Sequence, residues 1–138
     1  MALKWIKLFL RLALAASFLS AVADRFGFWP EAVSAWGNWN SFLEYTEILN
    51  PWYPVSLIPA VAIIATVAEL LFGLLLLVGL KTRLAANLSG ILLLLFAFSM
   101  TFSTGIKGPL DYSVFTAAAA AFALGAIGEK FLEVDSYL

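Results

Sequence analysis

The chain contains no cysteine and no histidine among its 138 residues. Their absence excludes disulfide bonds, thiol redox chemistry, imidazole metal sites, haem held by histidine, and Ser-His or Cys-His nucleophiles. The sequence therefore predicts no metal site. Any chemistry must use carboxylates, lysine, arginine, tyrosine or tryptophan, or a bound cofactor.

Charge is also scarce, since only 12% of the residues are charged, against about 25% in soluble domains. Hydrophobic residues make up 63% of the chain, which is more apolar surface than a water-soluble core of this size can bury. We therefore predict an integral membrane protein with one domain over residues 1–138, and the lipid bilayer as its solvent. The net charge of −1 and the lack of a basic stripe argue against nucleic acid as a partner.

Apolar runs predict four transmembrane helices, at approximately residues 5–23, 56–80, 84–102 and 112–128. The predicted fold class is therefore an all-α integral membrane bundle of four helices. The basic start of the chain and the small-residue pattern before Asp24 are also typical of a signal peptide. Because Arg11 lies within the first amphipathic run, we expect a retained helix. Asp111 is expected to be the N-cap of the fourth helix.

Residues 24–54, between the first two predicted spans, are rich in aromatic side chains and hold four of the five tryptophans. Amphipathic rings prefer the headgroup level of a bilayer. Side chains recur at helical spacing over residues 29–43, and Asn50-Pro51 is a stop signal, so the segment is predicted to contain a short interfacial helix. The alternative is an aromatic lid, with Trp36 and Trp39 above a pocket between the helices.

Basic residues are distributed unevenly over the predicted bundle. Six of the eight lie at the end that carries both termini: Lys4, Lys7, Arg11, Lys81, Arg83 and Lys130. Arg25 and Lys107 lie at the other end. By the positive-inside rule, both termini are predicted to be cytoplasmic and the aromatic segment to lie outside. Lys81 and Arg83 are interpreted as topology signals between the second and third spans.

Glu69 is the strongest functional candidate because it lies near the middle of the second span. A charge at the bilayer centre costs roughly 2.5–3.5 kcal/mol on insertion scales, so such residues are usually paired or functional. Arg11 lies at an overlapping depth, and we predict an Arg11–Glu69 ion pair that either fixes the helices or holds a ligand. Thr66 and Gly73 share the face of Glu69, and Asn87 is either a contact between helices or a further polar ligand group.

Three stretches, together with Arg11 in the first helix, resemble the DoxX family of small four-helix bacterial membrane proteins. They are AELLFGLLLLVGL at residues 68–80, KTRLAA at residues 81–86 and GPLDYSVFTAAAAAF at residues 108–122. The resemblance implies a four-span bundle in the bacterial cytoplasmic membrane and an association with redox metabolism. Some members of the family are membrane subunits of quinone-linked sulfur oxidation or oxidative-stress assemblies.

The sequence supports two hypotheses about function. Neither of them specifies whether the chain is an enzyme. The first is a redox-associated protein that binds a lipophilic molecule such as a quinone, with Glu69, Arg11 and Asn87 as polar contacts and Trp36 and Trp39 as a shield. Reduced quinone oxygens need proton donors and acceptors, which a desolvated carboxylate supplies. The second is a non-catalytic accessory or structural subunit of a membrane oxidoreductase complex or of a homo-oligomer, in which the ion pair only fixes helix register.

Overall fold

The computed structural model describes residues 2–138, and all regular structure in that range is helical. Six α-helices follow one another along the chain: α1 (Ala2–Arg25), α2 (Trp39–Leu49), α3 (Ile58–Val78), α4 (Thr82–Thr104), α5 (Lys107–Asp111) and α6 (Val114–Ala126). Two short 3₁₀ turns complete the regular structure, Val55–Leu57 directly before α3 and Val134–Tyr137 near the end of the chain. The predicted all-α class is confirmed.

Within residues 2–138, three helices are long and apolar enough to cross a membrane: α1, α3 with its preceding turn, and α4. The fourth predicted span is shorter than expected. It corresponds to α6, which is apolar but has only 13 residues. At 1.5 Å per residue it is about 20 Å long, less than the ~30 Å of a hydrocarbon core. The structure therefore supports a helical membrane bundle with three long membrane helices.

The bundle consists of two closely packed helix pairs, α1 with α3 and α4 with α6. Small residues make these contacts close, as is common where no hydrophobic effect drives helices together in lipid. A Cβ added at Gly90 of α4 would lie 2.7 Å from the Phe122 ring of α6. Large side chains of the same helices, among them Leu71, Leu74 and Phe102, point outward and are exposed, as expected for a surface that faces lipid.

The predicted interfacial helix begins later than expected. Residues 26–38 form turns, and α2 begins at Trp39. Its N-cap is Asn38, whose side-chain oxygen accepts a hydrogen bond from the Ser41 amide at 2.9 Å. Asn is a much stronger N-cap than the residues around Trp29, which explains the shift. The helix ends before Asn50, as predicted.

The prediction that Asp111 caps the last helix is wrong. Asp111 is the final residue of α5, where its carboxylate accepts a hydrogen bond from Lys107 Nζ at 2.6 Å. Pro109 is compatible with the first turn of a helix, so α5 begins before it and places Asp111 at the end. The residue before α6 is Ser113, which has a φ of 56° and caps the helix with no side-chain hydrogen bond.

Candidate functional site

Glu69 is paired, but its partner is Arg25, the last residue of α1. The Glu69 carboxylate contacts Arg25 Nη2, and both residues are buried, at 4% and 3% exposure. Arg25 Nη1 also donates to the hydroxyl of Thr66, one turn earlier on α3, at 2.7 Å. Because α1 and α3 run antiparallel, the C-terminal end of α1 reaches the middle of α3. The site is therefore a buried ion pair between two membrane helices.

The predicted Arg11–Glu69 pair is wrong. The Arg11 guanidinium instead donates to four main-chain carbonyl oxygens at 3.0–3.1 Å, those of Leu76, Leu77, Phe131 and Leu132. The last four carbonyls of a helix have no partner within it, so the C-terminal end of α3 offers acceptors at the level of Arg11. Glu69 lies two turns further from that end and faces Arg25.

Aromatic side chains cover the ion pair, and we refer to five of them as the aromatic cap: Phe26, Trp36, Trp39, Phe42 and Tyr45. The Arg25 Cζ atom lies 3.8 Å from the Phe42 ring centre and 5.2 Å from the Trp36 ring centre. The Trp36 ring meets Phe42 edge-on at 5.0 Å, and Trp39 stacks on Phe26 at 5.6 Å. A cation over ring faces is favourable, and more so when water is excluded. The cap therefore covers the Arg25 guanidinium with the faces of two aromatic rings.

Asp24 fixes the loop that carries Trp36. Its buried carboxylate accepts hydrogen bonds from the amides of Ala35 at 2.6 Å and Gly37 at 3.1 Å. Gly37 has a φ of +80°, a conformation that glycine adopts without steric cost. The neighbouring residues Asp24 and Arg25 thus position the cap and the ion pair from one helix end. The sequence suggested Trp36 and Trp39 as a lid, and the structure places Trp36 directly on the pair and Trp39 one ring further away.

One donor of the site has no partner. Arg25 Nε is buried and makes no hydrogen bond within residues 2–138, which costs about 1–3 kcal/mol for a buried polar group. Trp36, which covers Arg25, also lines a cleft of about 410 Å³ in the loop before α2. We call this space the Trp36 cleft; it is bordered by Gly27, Trp29, Glu31, Ser34, Trp36, Gly37 and Asn38. Trp36 therefore borders the cleft and also lies against the Arg25 guanidinium.

Asn87 does not join this site. A Cβ added at Gly125 of α6 would lie 2.2 Å from the Asn87 side-chain oxygen. Asn87 therefore packs in the contact between α4 and α6. The sequence also predicted a cavity beside Glu69, yet neither the Trp36 cleft nor the cleft near the α3–α4 turn includes Glu69 in its lining. Within residues 2–138, no group of three acidic side chains is placed to hold a metal ion.

The C-terminal residues after α6 fold back onto the bundle. Glu133 is buried and accepts a hydrogen bond from Lys7 Nζ at 3.0 Å, and Arg11 Nη1 lies 3.9 Å from the same carboxylate. Gly79, which ends α3 with a φ of +76°, makes room, since a Cβ there would lie 2.2 Å from the Glu133 Cβ. In the sequence, the signal for this close contact was a glycine directly after the apolar run of α3. We call Lys7, Arg11 and Glu133 the tail cluster.

Asp135 extends this attachment to α4. Its carboxylate accepts hydrogen bonds from the amides of Lys81 at 2.6 Å and Thr82 at 2.8 Å. Burial alone would raise the pKa of Asp135, but these amides stabilise the ionised form and hold the pKa below its ordinary value. Asp135 therefore acts as a cap for α4 that is supplied from the far end of the chain. Lys81 contributes its backbone here, in addition to the topology signal predicted for its charge.

Comparison with known proteins adds one finding. A family model described as DoxX matches residues 6–102, which include the ion pair, the aromatic cap and most of the three long membrane helices. Arg11 and Lys7 also lie in the matched range, whereas α6 and the C-terminal tail lie beyond it. No curated protein and no solved structure matches the chain.

Proposed function

Because this chain belongs to the DoxX family of membrane proteins, we propose that it binds a lipophilic carbonyl compound, such as a quinone, at the Arg25–Glu69 pair. The supporting observation is the state of Arg25. It is buried, it holds Glu69 and Thr66, it lies under aromatic rings, and its Nε still has no acceptor. A ligand oxygen would satisfy that donor. The redox association of the protein rests on this ligand class and is part of the proposal.

The chemistry of the pair suits both states of a quinone. A guanidinium only donates hydrogen bonds and an ionised carboxylate only accepts them. Arg25 would therefore donate to a quinone carbonyl, and Glu69 would accept from the hydroxyl of the reduced form. The flat ring would stack on Trp36, which lines the Trp36 cleft and lies against Arg25. Binding therefore requires the Trp36 side chain to move away from Arg25.

A second candidate is an accessory or structural subunit of a membrane oxidoreductase complex or of a homo-oligomer. The observation that favours it is the burial of Glu69, at 4% exposure, since neither the Trp36 cleft nor the cleft at the α3–α4 turn includes it in its lining. In that case the ion pair only fixes α1 against α3. The two candidates differ in one measurable property, which is whether a quinone approaches the aromatic cap.

We also propose the membrane arrangement. In this arrangement α5 and α6 together form a fourth span of a bacterial cytoplasmic membrane protein, with both termini in the cytoplasm and the aromatic cap outside. Support comes from the close packing of α6 on α4 and the 6-to-2 division of basic residues. The chain has no native cysteine, so single cysteines at the exposed positions Asn38 and Arg83 are expected to react with an impermeant reagent from opposite sides. Reaction of both from the same side would contradict the arrangement.

Tryptophan fluorescence tests the proposed ligand. Titration of the purified protein with a short-chain soluble quinone is expected to give saturable quenching, because the ligand would lie against Trp36. The Trp36→Phe variant should lose most of the saturable part. The matched control is Trp5→Phe, which removes a tryptophan that contacts Phe131 at the other end of the bundle and should leave the saturable part intact.

Glu69→Gln separates the two candidate functions. Loss of the carboxylate should weaken binding of the reduced quinone more than that of the oxidised form, because only the hydroxyl donates to Glu69. Competition between the two forms for the quenching signal measures this difference. Linear quenching that is the same in wild type, Trp36→Phe and Glu69→Gln would contradict a quinone site and favour the accessory subunit.

A further inference from the structure

The six basic residues at the end of the bundle that carries both termini fall into two groups. Three make internal contacts. Lys7 and Arg11 form ion pairs with Glu133, and Lys4 Nζ lies 5.0 Å from the ring centre of Phe131. The other three, Lys81, Arg83 and Lys130, form no ion pair within residues 2–138 and all are exposed. Lys130 Nζ donates one hydrogen bond, to the main-chain carbonyl of Asp135 at 3.0 Å. Their charges are therefore not needed to neutralise the fold.

These three side chains converge on one cleft. It has a volume of about 430 Å³, lies at the turn between α3 and α4, and is bordered by Lys81, Thr82, Arg83, Leu84, Lys130, Asp135 and Leu138. We call it the basic cleft. The carboxylate of Asp135 is already bound by two backbone amides. The cleft thus offers three exposed cations, and its one carboxylate is already satisfied by backbone amides.

An apolar strip begins at the same cleft and continues along α4. Its residues recur at i, i+4, i+7 and i+11 and are each 37–59% exposed: Leu84, Leu88, Ile91 and Leu95. Residues at this spacing lie on one face of a helix. Leu84 belongs both to the cleft and to the strip. A ligand that fills both features needs an anionic head and a long apolar chain.

We propose that the basic cleft binds an anionic phospholipid, with the headgroup phosphate among Lys81, Arg83 and Lys130 and an acyl chain along the α4 strip. Basic pockets at the ends of membrane helices suit such headgroups. A free inorganic phosphate would share the cleft contacts but would leave the strip unused. The site is separate from the Arg25–Glu69 pair, so it holds whether or not the chain binds a quinone.

Native mass spectrometry of the full chain in detergent, titrated with phosphatidylglycerol or phosphatidylcholine, tests this site. Phosphatidylglycerol is expected to bind about tenfold more tightly than phosphatidylcholine, which corresponds to between one and two charge contacts at roughly fivefold each. Arg83→Gln should weaken phosphatidylglycerol binding about fivefold, and Lys81→Gln, Arg83→Gln and Lys130→Gln combined about 100-fold, at roughly fivefold for each charge. All three side chains are exposed, so the variants are expected to fold.

The matched control is Lys4→Gln, which removes one charge from the same end of the bundle without touching the cleft. It should leave phosphatidylglycerol binding unchanged, and an equal loss in Lys4→Gln and Arg83→Gln would overturn the site. Competition with inorganic phosphate is the second experiment. Displacement of phosphatidylglycerol by phosphate at equal concentration would show a free-anion site and overturn the proposal of a lipid site. A requirement for a phosphate excess of at least about 100-fold would support it.

Discussion

Replacing Arg25 with methionine is expected to lower the free energy of unfolding in detergent by about 3–5 kcal/mol, because Glu69 would stay buried without its partner. Both side chains are under 5% exposed, so water cannot replace the lost contact. The loss of the Arg25–Thr66 hydrogen bond and of the ring contacts adds to the effect. Thermal or denaturant unfolding followed by circular dichroism measures the change. The matched control is Lys107→Met, which breaks an exposed pair with Asp111 and should cost less than about 1 kcal/mol.

A double-mutant cycle distinguishes the true partner of Glu69. Arg25→Met combined with Glu69→Gln should cost less than the sum of the two single changes, by about 0.5–3 kcal/mol, because the residues are in contact. Arg11→Met combined with Glu69→Gln should be additive within about 0.5 kcal/mol, since the two share no partner. Coupling to Arg11 and additivity with Arg25 would contradict the observed pairing.

Replacing Arg11 with methionine is expected to release the C-terminal tail while leaving the membrane helices in place. The change removes four hydrogen bonds to backbone carbonyls and one charge of the tail cluster. Hydrogen bonds to charged groups contribute about 1.5–3 kcal/mol each, and two of the four lost here hold Phe131 and Leu132 of the tail. Glu133 keeps its nearer partner, Lys7. Local opening should thus become at least about 100-fold more frequent.

Limited proteolysis at Lys130 reports this opening, because cleavage follows the population of the open form when reclosing is fast. Trypsin should cleave Arg11→Met at Lys130 about 100-fold faster than wild type. Lys4→Met is the control, since Lys4 only lies over the Phe131 ring and its loss should raise cleavage less than about fivefold. Equal cleavage rates in wild type and Arg11→Met would contradict a tail held by Arg11.

The membrane helices and Glu69 could be predicted from the sequence because both depend on local composition. Apolar runs locate α1, α3 and α4. A single carboxylate within such a run is easily recognised as a candidate, because a charge in lipid is energetically costly. The partner of Glu69 could not be identified in this way. Hydropathy gives the depth of a residue along its own helix, whereas pairing depends on where two helices end relative to each other. Arg25 lies just past the predicted end of the first span and was counted only as a charge outside the membrane.

Long-range contacts also explain the other errors. Glu133 and Asp135 look like solvated tail residues, since their partners Lys7 and Lys81 lie more than fifty residues away in the chain. Thr66, one turn before Glu69, was a usable signal, because it showed which face of α3 meets another polar group. The aromatic segment lies against Arg25, and its position at the membrane interface stays a prediction. Its turn over residues 26–38 depends on Asp24 binding two amides, a contact that periodicity does not report.

The most direct test of the proposed quinone site is photolabelling in membranes with a quinone analogue that carries a photoreactive group on its ring. The label is expected on the peptide that carries the aromatic cap between Trp36 and Tyr45, and on α3 near Glu69. An excess of unmodified quinone should remove it, and Glu69→Gln should reduce labelling by the reduced analogue. Label found only on the lipid-exposed faces of α3 and α4, and unaffected by competing quinone, would contradict the site.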